Sequence, residues 1–163
     1  MSKLLVEERK KMKTKISHFT WEKSFPLIVL DGVVKLEGSN LEKEVKSGDH
    51  IGTHNQHQKS HTWKLMKKQM KHTGRYVWFT EEDNVNCIGS VKQYHQKKIP
   101  ISFYAEDIGA KKWDDVKKTI YNKQGQKIIK RNDSCAISMG DDTSKWWVID
   151  TEVSLSKSIG HKS

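Results

Sequence analysis

The sequence predicts an α+β fold: an antiparallel, β-rich domain, a small barrel or twisted sheet, with two or three short helices. Three observations carry that expectation. Short apolar or β-branched runs recur at near-regular spacing, at 27–30, 33–36, 75–80, 99–104 and 146–153. Turn chemistry separates them, as in Asp31-Gly32 and Gly140-Asp141-Asp142. Only 60–74 combines helical spacing with residues suited to both ends of a helix. The chain has 163 residues, of which 34% are hydrophobic, so one small domain with a lean core is expected. A composition shift near Lys97 is the one place where a division into two halves would fall.

Residues 1–16 read as a basic helix or arm, with Leu4, Leu5, Met12 and Ile16 as an imperfect apolar stripe. Residues 26–37 read as a β-hairpin, because Asp31-Gly32 supplies the positive φ angles of a tight turn. A strand over 42–46 and a loop over 50–59 follow. Ser60 then reads as an N-cap and Gly74 as the residue that stops a helix. Between them Trp63, Met66 and Met70 share one face, and Lys64, Lys68 and Lys71 another. Residues 75–80 form a strand by composition, with a turn at 81–84 and a return strand over 85–94. Another strand covers 99–104. A short helix covers 113–121, and 119–130 has a second reading as a hairpin around Gln124-Gly125. Residues 135–139 and 146–153 pair as the last strands, and the Ser- and Lys-rich tail, 154–163, frays.

Charge is the strongest functional signal. The formal net charge is +10 and the isoelectric point about 9.5. The excess is clustered: no acidic residue lies between Asp49 and Glu81. That run holds Lys59, Lys64, Lys67, Lys68, Lys71 and Arg75, five histidines, Trp63 and Trp78. Such a surface suits a polyanion, because each lysine that neutralises a phosphate releases condensed counterions. Two further clusters are Lys111, Lys112, Lys117 and Lys118, and Lys127, Lys130 and Arg131. Arg9, Arg75 and Arg131 are the only arginines. Lysine-rich, arginine-poor composition favours weakly selective phosphate contact over bidentate reading of guanine. The expected ligand is therefore nucleic acid, duplex DNA first, bound by Lys59, Lys64, Lys67, Lys68, Lys71 and Arg75. Trp63 and Trp78 offer stacking surfaces, although Trp78, inside a strand, reads as core.

Other chemistries are weaker. His50, His54, His57 and His61 have the spacing of one helical line and would make a metal site, but Gly48 and Gly52 interrupt that helix, so a polar loop is expected. Asp31 followed by Glu44 and Lys46 has the order of a metal-dependent nuclease, in which carboxylates hold the ion and a lysine supports the attacking water. Asp31 already has a role in its turn. No phosphate-binding glycine loop, nucleophile elbow or kinase signature is present. A binding protein without a cofactor is thus favoured over an enzyme. A third reading is a basic interaction module for an acidic protein. Cys87 and Cys135 are not a C-x-x-C pair and read as reduced thiols. With no secretory leader and no apolar run near 20 residues, the expected location is the cytoplasm, in association with the nucleoid, and not a membrane.

Val45-Lys46-Ser47-Gly48-Asp49-His50-Ile51 resembles the opening of a KOW-type segment, a Gly-Asp turn that starts a small barrel in nucleic-acid proteins. In size, charge and this turn the chain is also similar to the small, lysine-rich, MotB-type early DNA-binding proteins of T-even phages. That resemblance implies DNA binding with little sequence preference inside an infected bacterium, on host or phage DNA, with a host nucleoid or transcription protein as a further partner.

Overall fold

A five-stranded open sheet, with every neighbouring pair antiparallel, organises the chain. The computed structural model describes residues 13–47, 54–82 and 98–160. Along them run β1 (Lys15–Trp21), α1 (Phe25–Asp31), β2 (Val33–Val34), α2 (Ser39–Ser47), α3 (His54–Thr73), β3 (Val77–Thr80) and β4 (Lys98–Tyr104). Then come α4 (Ala105–Ile108), β5 (Lys111–Lys112), α5 (Trp113–Lys117), α6 (Lys123–Ser138), β6 (Trp146–Ile149) and β7 (Val153–Ser154). Strand order is β4-β1-β3-β6-β5, and β2 with β7 makes a separate two-stranded ribbon. The fold is therefore α+β and antiparallel, a sheet and not a closed barrel among the described residues, and it carries more helix than its sequence suggests.

The pleat sorts side chains to two faces. Ile16, Val77, Phe79, Ile101 and Phe103 lie on one face and are buried with Val34, Val153 and Leu155. Ser17, Trp78, Thr80, Trp146 and Val148 lie on the other, where Trp113 and Ile129 pack against Val148. The strands β1 and β4 are in register over seven residue pairs, from Lys15 opposite Tyr104 to Trp21 opposite Lys98. By contrast β1 meets β3 through a single bridge, Ser17 opposite Thr80.

Several local expectations are overturned. The run Leu27-Ile28-Val29-Leu30 is helical, not a hairpin arm. Pro26 sits in its first turn, where a missing N–H costs nothing, and Gly32 at φ 71° caps its end, donating to the Ile28 carbonyl. The positive φ read at Asp31-Gly32 is real, but it ends a helix. Residues 42–46 belong to α2 rather than to a strand. Helix α3 begins at His54, so Ser60 lies inside it and residues 54–59 are not a loop. Residues 123–138 form α6, which replaces both the hairpin at 119–130 and the strand at 135–139. Asn122 starts it by accepting from the Gly125 N–H at 2.6 Å. Ile16 belongs to β1, not to a basic helix, and residues 1–12 lie outside the described residues. The turn and return strand at 81–94 lie largely outside them as well.

Strands at 77–80, 98–104 and 146–149 fall where composition puts them. The start of the tail is held rather than frayed: Val153–Ser154 pairs with β2, Leu155 is buried, and the Ile159 N–H donates to the Ser102 carbonyl at 2.8 Å. Strands from before and after Lys97 share one sheet, with β4 beside β1 and β6 beside β3. No helix among the described residues is long and apolar enough to cross a membrane.

Candidate functional site

Helix α3 is built from residues that tolerate or favour helix and carries no acidic side chain over its 20 positions. Trp63 is buried at 4% exposure, with Met66 and Met70 partly buried on the same side. Gly38 at φ 77° lies against the Trp63 ring, where a Cβ would come within 3.0 Å of it. Gly74 ends the helix at φ 92°, its N–H donating to the Met70 carbonyl at 2.8 Å. A Cβ there would meet the Tyr76 hydroxyl at 2.3 Å, so glycine is required on two grounds.

The six cations expected to bind nucleic acid divide into two groups. Lys64, Lys68 and Lys71, at i, i+4 and i+7, are exposed on the outer face of α3 with no ion pair among the described residues. Lys67 is also exposed, with its ammonium 5.7 Å from the centre of the Trp63 ring. Arg75 and Lys59, in contrast, hold the fold together. Arg75 Nε donates to the Glu37 carbonyl at 2.8 Å, and Nη2 to Ser39 Oγ at 3.3 Å. Its guanidinium stands 5.4 Å from the Trp63 ring centre and pairs with Glu42 at 3.7 Å. Lys59 pairs with Glu44 at 3.0 Å. Both tie α2 to α3 and the chain that follows it.

A second basic helix adjoins the first. Asn122 Nδ2 donates to the His72 carbonyl at 3.1 Å, joining the end of α3 to the start of α6. Gly125 is buried at that contact, where a Cβ would fall 2.8 Å from the same carbonyl. On α6, Lys123, Lys127, Lys130 and Arg131 are exposed, at i, i+4, i+7 and i+8. The one acid of that helix, Asp133, is buried and accepts from Trp113 Nε1 at 3.2 Å and from Lys117 at 3.2 Å. Two clusters separate in sequence thus become adjoining helices, each with an acid-free outer face. Of the remaining cluster, Lys111 and Lys112 lie on the edge strand β5, and Lys117 is paired with Asp114 and Asp133.

Between residues 66–73 of α3, residues 129–133 of α6 and the sheet lies a cavity of about 460 Å³. Trp78, Trp113 and Trp146 form much of its wall, Trp78 and Trp113 with ring centres 4.8 Å apart. Gln69, Asn132, Glu37 and Asp133 supply polar groups. Trp78 Nε1 donates to Glu37 Oε2, and Oε1 accepts no hydrogen bond among the described residues. Burial pushes the Glu37 carboxyl up to about 7, against the opposing effects of the Trp78 bond and the Arg75 charge. Lys98 also lines the cavity and is pushed below the usual lysine range by burial. His18 Nδ1 lies 2.9 Å from the Trp78 carbonyl and donates to it, which leaves Nε2 as the acceptor. Burial lowers the pKa of this imidazole and favours its neutral form.

The residues of the nuclease alternative are paired separately. Asp31, Glu44 and Lys46 each engage a different partner: Lys35 at 3.2 Å, Lys59 at 3.0 Å and Glu42 at 3.7 Å. Of the histidines, His50 lies outside the described residues, His54 and His57 fall on α3, and His61 is exposed there. No group of three metal-ligating side chains occurs among the described residues. In the KOW-like segment Val45, Lys46 and Ser47 end α2, and the residues from Gly48 lie outside the described residues. Cys135 is a free, exposed thiol on α6, and Cys87 lies outside the described residues.

Sequence reasoning missed the cavity and Glu37. The usable signal was six tryptophans in a chain only 34% hydrophobic, more indole than so lean a core needs. Comparison with protein-family models, curated proteins and solved structures finds no match to this chain.

Proposed function

We propose that this chain binds nucleic acid, duplex DNA first, through phosphate contacts made by the outer faces of α3 and α6. The observation that carries the reading is the acid-free face of α3, where Lys64, Lys68 and Lys71 are exposed with no ion pair among the described residues. From Lys64 to Lys71 the helix rises about 10 Å, against one duplex charge per ~1.7 Å of axis, so several phosphates fall within reach. Lys67 and the α6 cations Lys123, Lys127, Lys130 and Arg131 extend the surface. Lysines are point charges, so the reading implies strong salt dependence and little sequence preference. A nucleoid-associated role on host or phage DNA, like that of the MotB-type early proteins, is consistent with these properties.

The test is a titration of duplex DNA against salt with wild type and a Lys64→Ala/Lys68→Ala/Lys71→Ala variant. The slope of log K against log salt should become shallower by about 2 to 3 in the variant, near 0.9 per lost phosphate contact. An unchanged slope removes α3 as the site.

A further inference from the structure

We propose that the cavity between α3, α6 and the sheet is a binding site for a single nucleobase, presented by a free mononucleotide or by an unpaired nucleotide of a strand held on the lysines. The strand arm rests on the nucleic-acid reading above; the mononucleotide arm does not. At about 460 Å³ the space falls within the ~300–1,000 Å³ of small-ligand pockets. Its apolar lining is flat and polarisable: the indoles of Trp78 and Trp146, with Met66 and Met70 on the α3 side. Those are the surfaces on which a heteroaromatic ring gains most.

The polar lining selects among ring-shaped ligands. Gln69 and Asn132 are amides, each able to give and accept at once, and Glu37 keeps Oε1 unengaged among the described residues. A plain apolar ligand would cover these groups and leave them without partners, which is costly. A bare anion would meet two carboxylates, Glu37 and Asp133, and find, among the described residues, one lining lysine, Lys98. A base edge, with donors and acceptors side by side, satisfies amides and carboxyl together, and Lys98 in the lining suits the attached phosphate.

The experiment follows tryptophan fluorescence of the full chain during titration with AMP, GMP, CMP and UMP, with ribose 5-phosphate as the baseless control. A second arm uses a duplex carrying one 2-aminopurine opposite an abasic site. The expected result is saturable quenching by at least one mononucleotide or a saturable 2-aminopurine change, and none with ribose 5-phosphate. A Gln69→Leu/Asn132→Leu variant, its fold checked by thermal melting, should weaken that response about tenfold or more. Should this variant melt early, Met70→Trp, which fills the cavity, serves in its place. Response from mononucleotides alone assigns the free nucleotide as ligand; response from the unpaired base alone assigns the strand. Quenching that ribose 5-phosphate reproduces, or that both variants retain, overturns the proposal, as does silence in both arms. Loss of duplex binding in the wild type with base quenching intact would remove the lysine reading and leave the cavity standing.

Discussion

The two faces of the central sheet are closed to different degrees. On one, Phe103 and Ile16 are fully buried at 0% exposure and Val77 at 1%, packed with α1, α4 and the β2–β7 ribbon. On the other, tryptophans and two long helices leave about 460 Å³ unfilled, with Glu37, Gln69 and Asn132 lining it. Edge-to-face ring contacts occur on both faces, Phe79 with Phe103 on one and Trp78 with Trp113 and Trp146 on the other. The sealed face carries the larger cluster of buried residues. The open face holds the space, polar groups and neighbouring charge that a ligand needs.

Truncation of the sealed face should have the largest effect. Phe103→Ala should cost about 3–5 kcal/mol in urea unfolding, because a fully buried ring is removed from a packed layer. A loss below about 1 kcal/mol would break the contrast between the faces.

Next comes Glu37, which lines the open cavity and also a depression on the sealed side. Its folded pKa, about 7, exceeds the ordinary value of 4.5, so the folded chain holds this proton more tightly than the unfolded one. The stability associated with that proton is therefore full below about pH 4.5 and is lost as pH rises through about 7. The loss is at most about 3 kcal/mol, with Arg75, His18 and Lys98 as the charged or titratable neighbours. In Glu37→Gln the decline over this range should flatten. An unaltered pH profile would place the carboxyl in water.

Smallest should be Met66→Ala. Its side chain is partly buried and borders an existing void, so about 1 kcal/mol is expected, well under the cost of Phe103→Ala. Equal costs at the two positions would mean that both faces are packed alike.

Some of this was legible before the structure. Tyr76-Val77-Trp78-Phe79 reads as a strand because aromatic and β-branched residues favour a pleated surface, and β3 runs over 77–80. The lysine stripe at 64, 68 and 71 was legible because helical spacing alone puts those positions on one face, and they are exposed. The run 27–36 was not. Its β-branched residues and Asp-Gly pair suit a hairpin locally, but Pro26 and Gly32 serve equally well at the two ends of a helix. Residues 123–138 mix helix formers with Gly125, and the close approach of that glycine to the His72 carbonyl, Ile120 and Asn122 explains its place in a helix.

By itself the sequence determined the sign and clustering of charge, the α+β class, three strands of the main sheet and the outer stripe of α3. These follow from residue type and spacing, which act over a few neighbours. Only the tertiary structure decided that Arg75 and Lys59 are held by Glu37, Ser39, Glu42 and Glu44 while Lys64, Lys68 and Lys71 have no ion pair among the described residues. It also brought two basic helices together at His72 and Asn122 and left a cavity between them. Partners 15 to 50 residues apart, and the volume their side chains fail to fill, depend on packing, which local propensity does not encode.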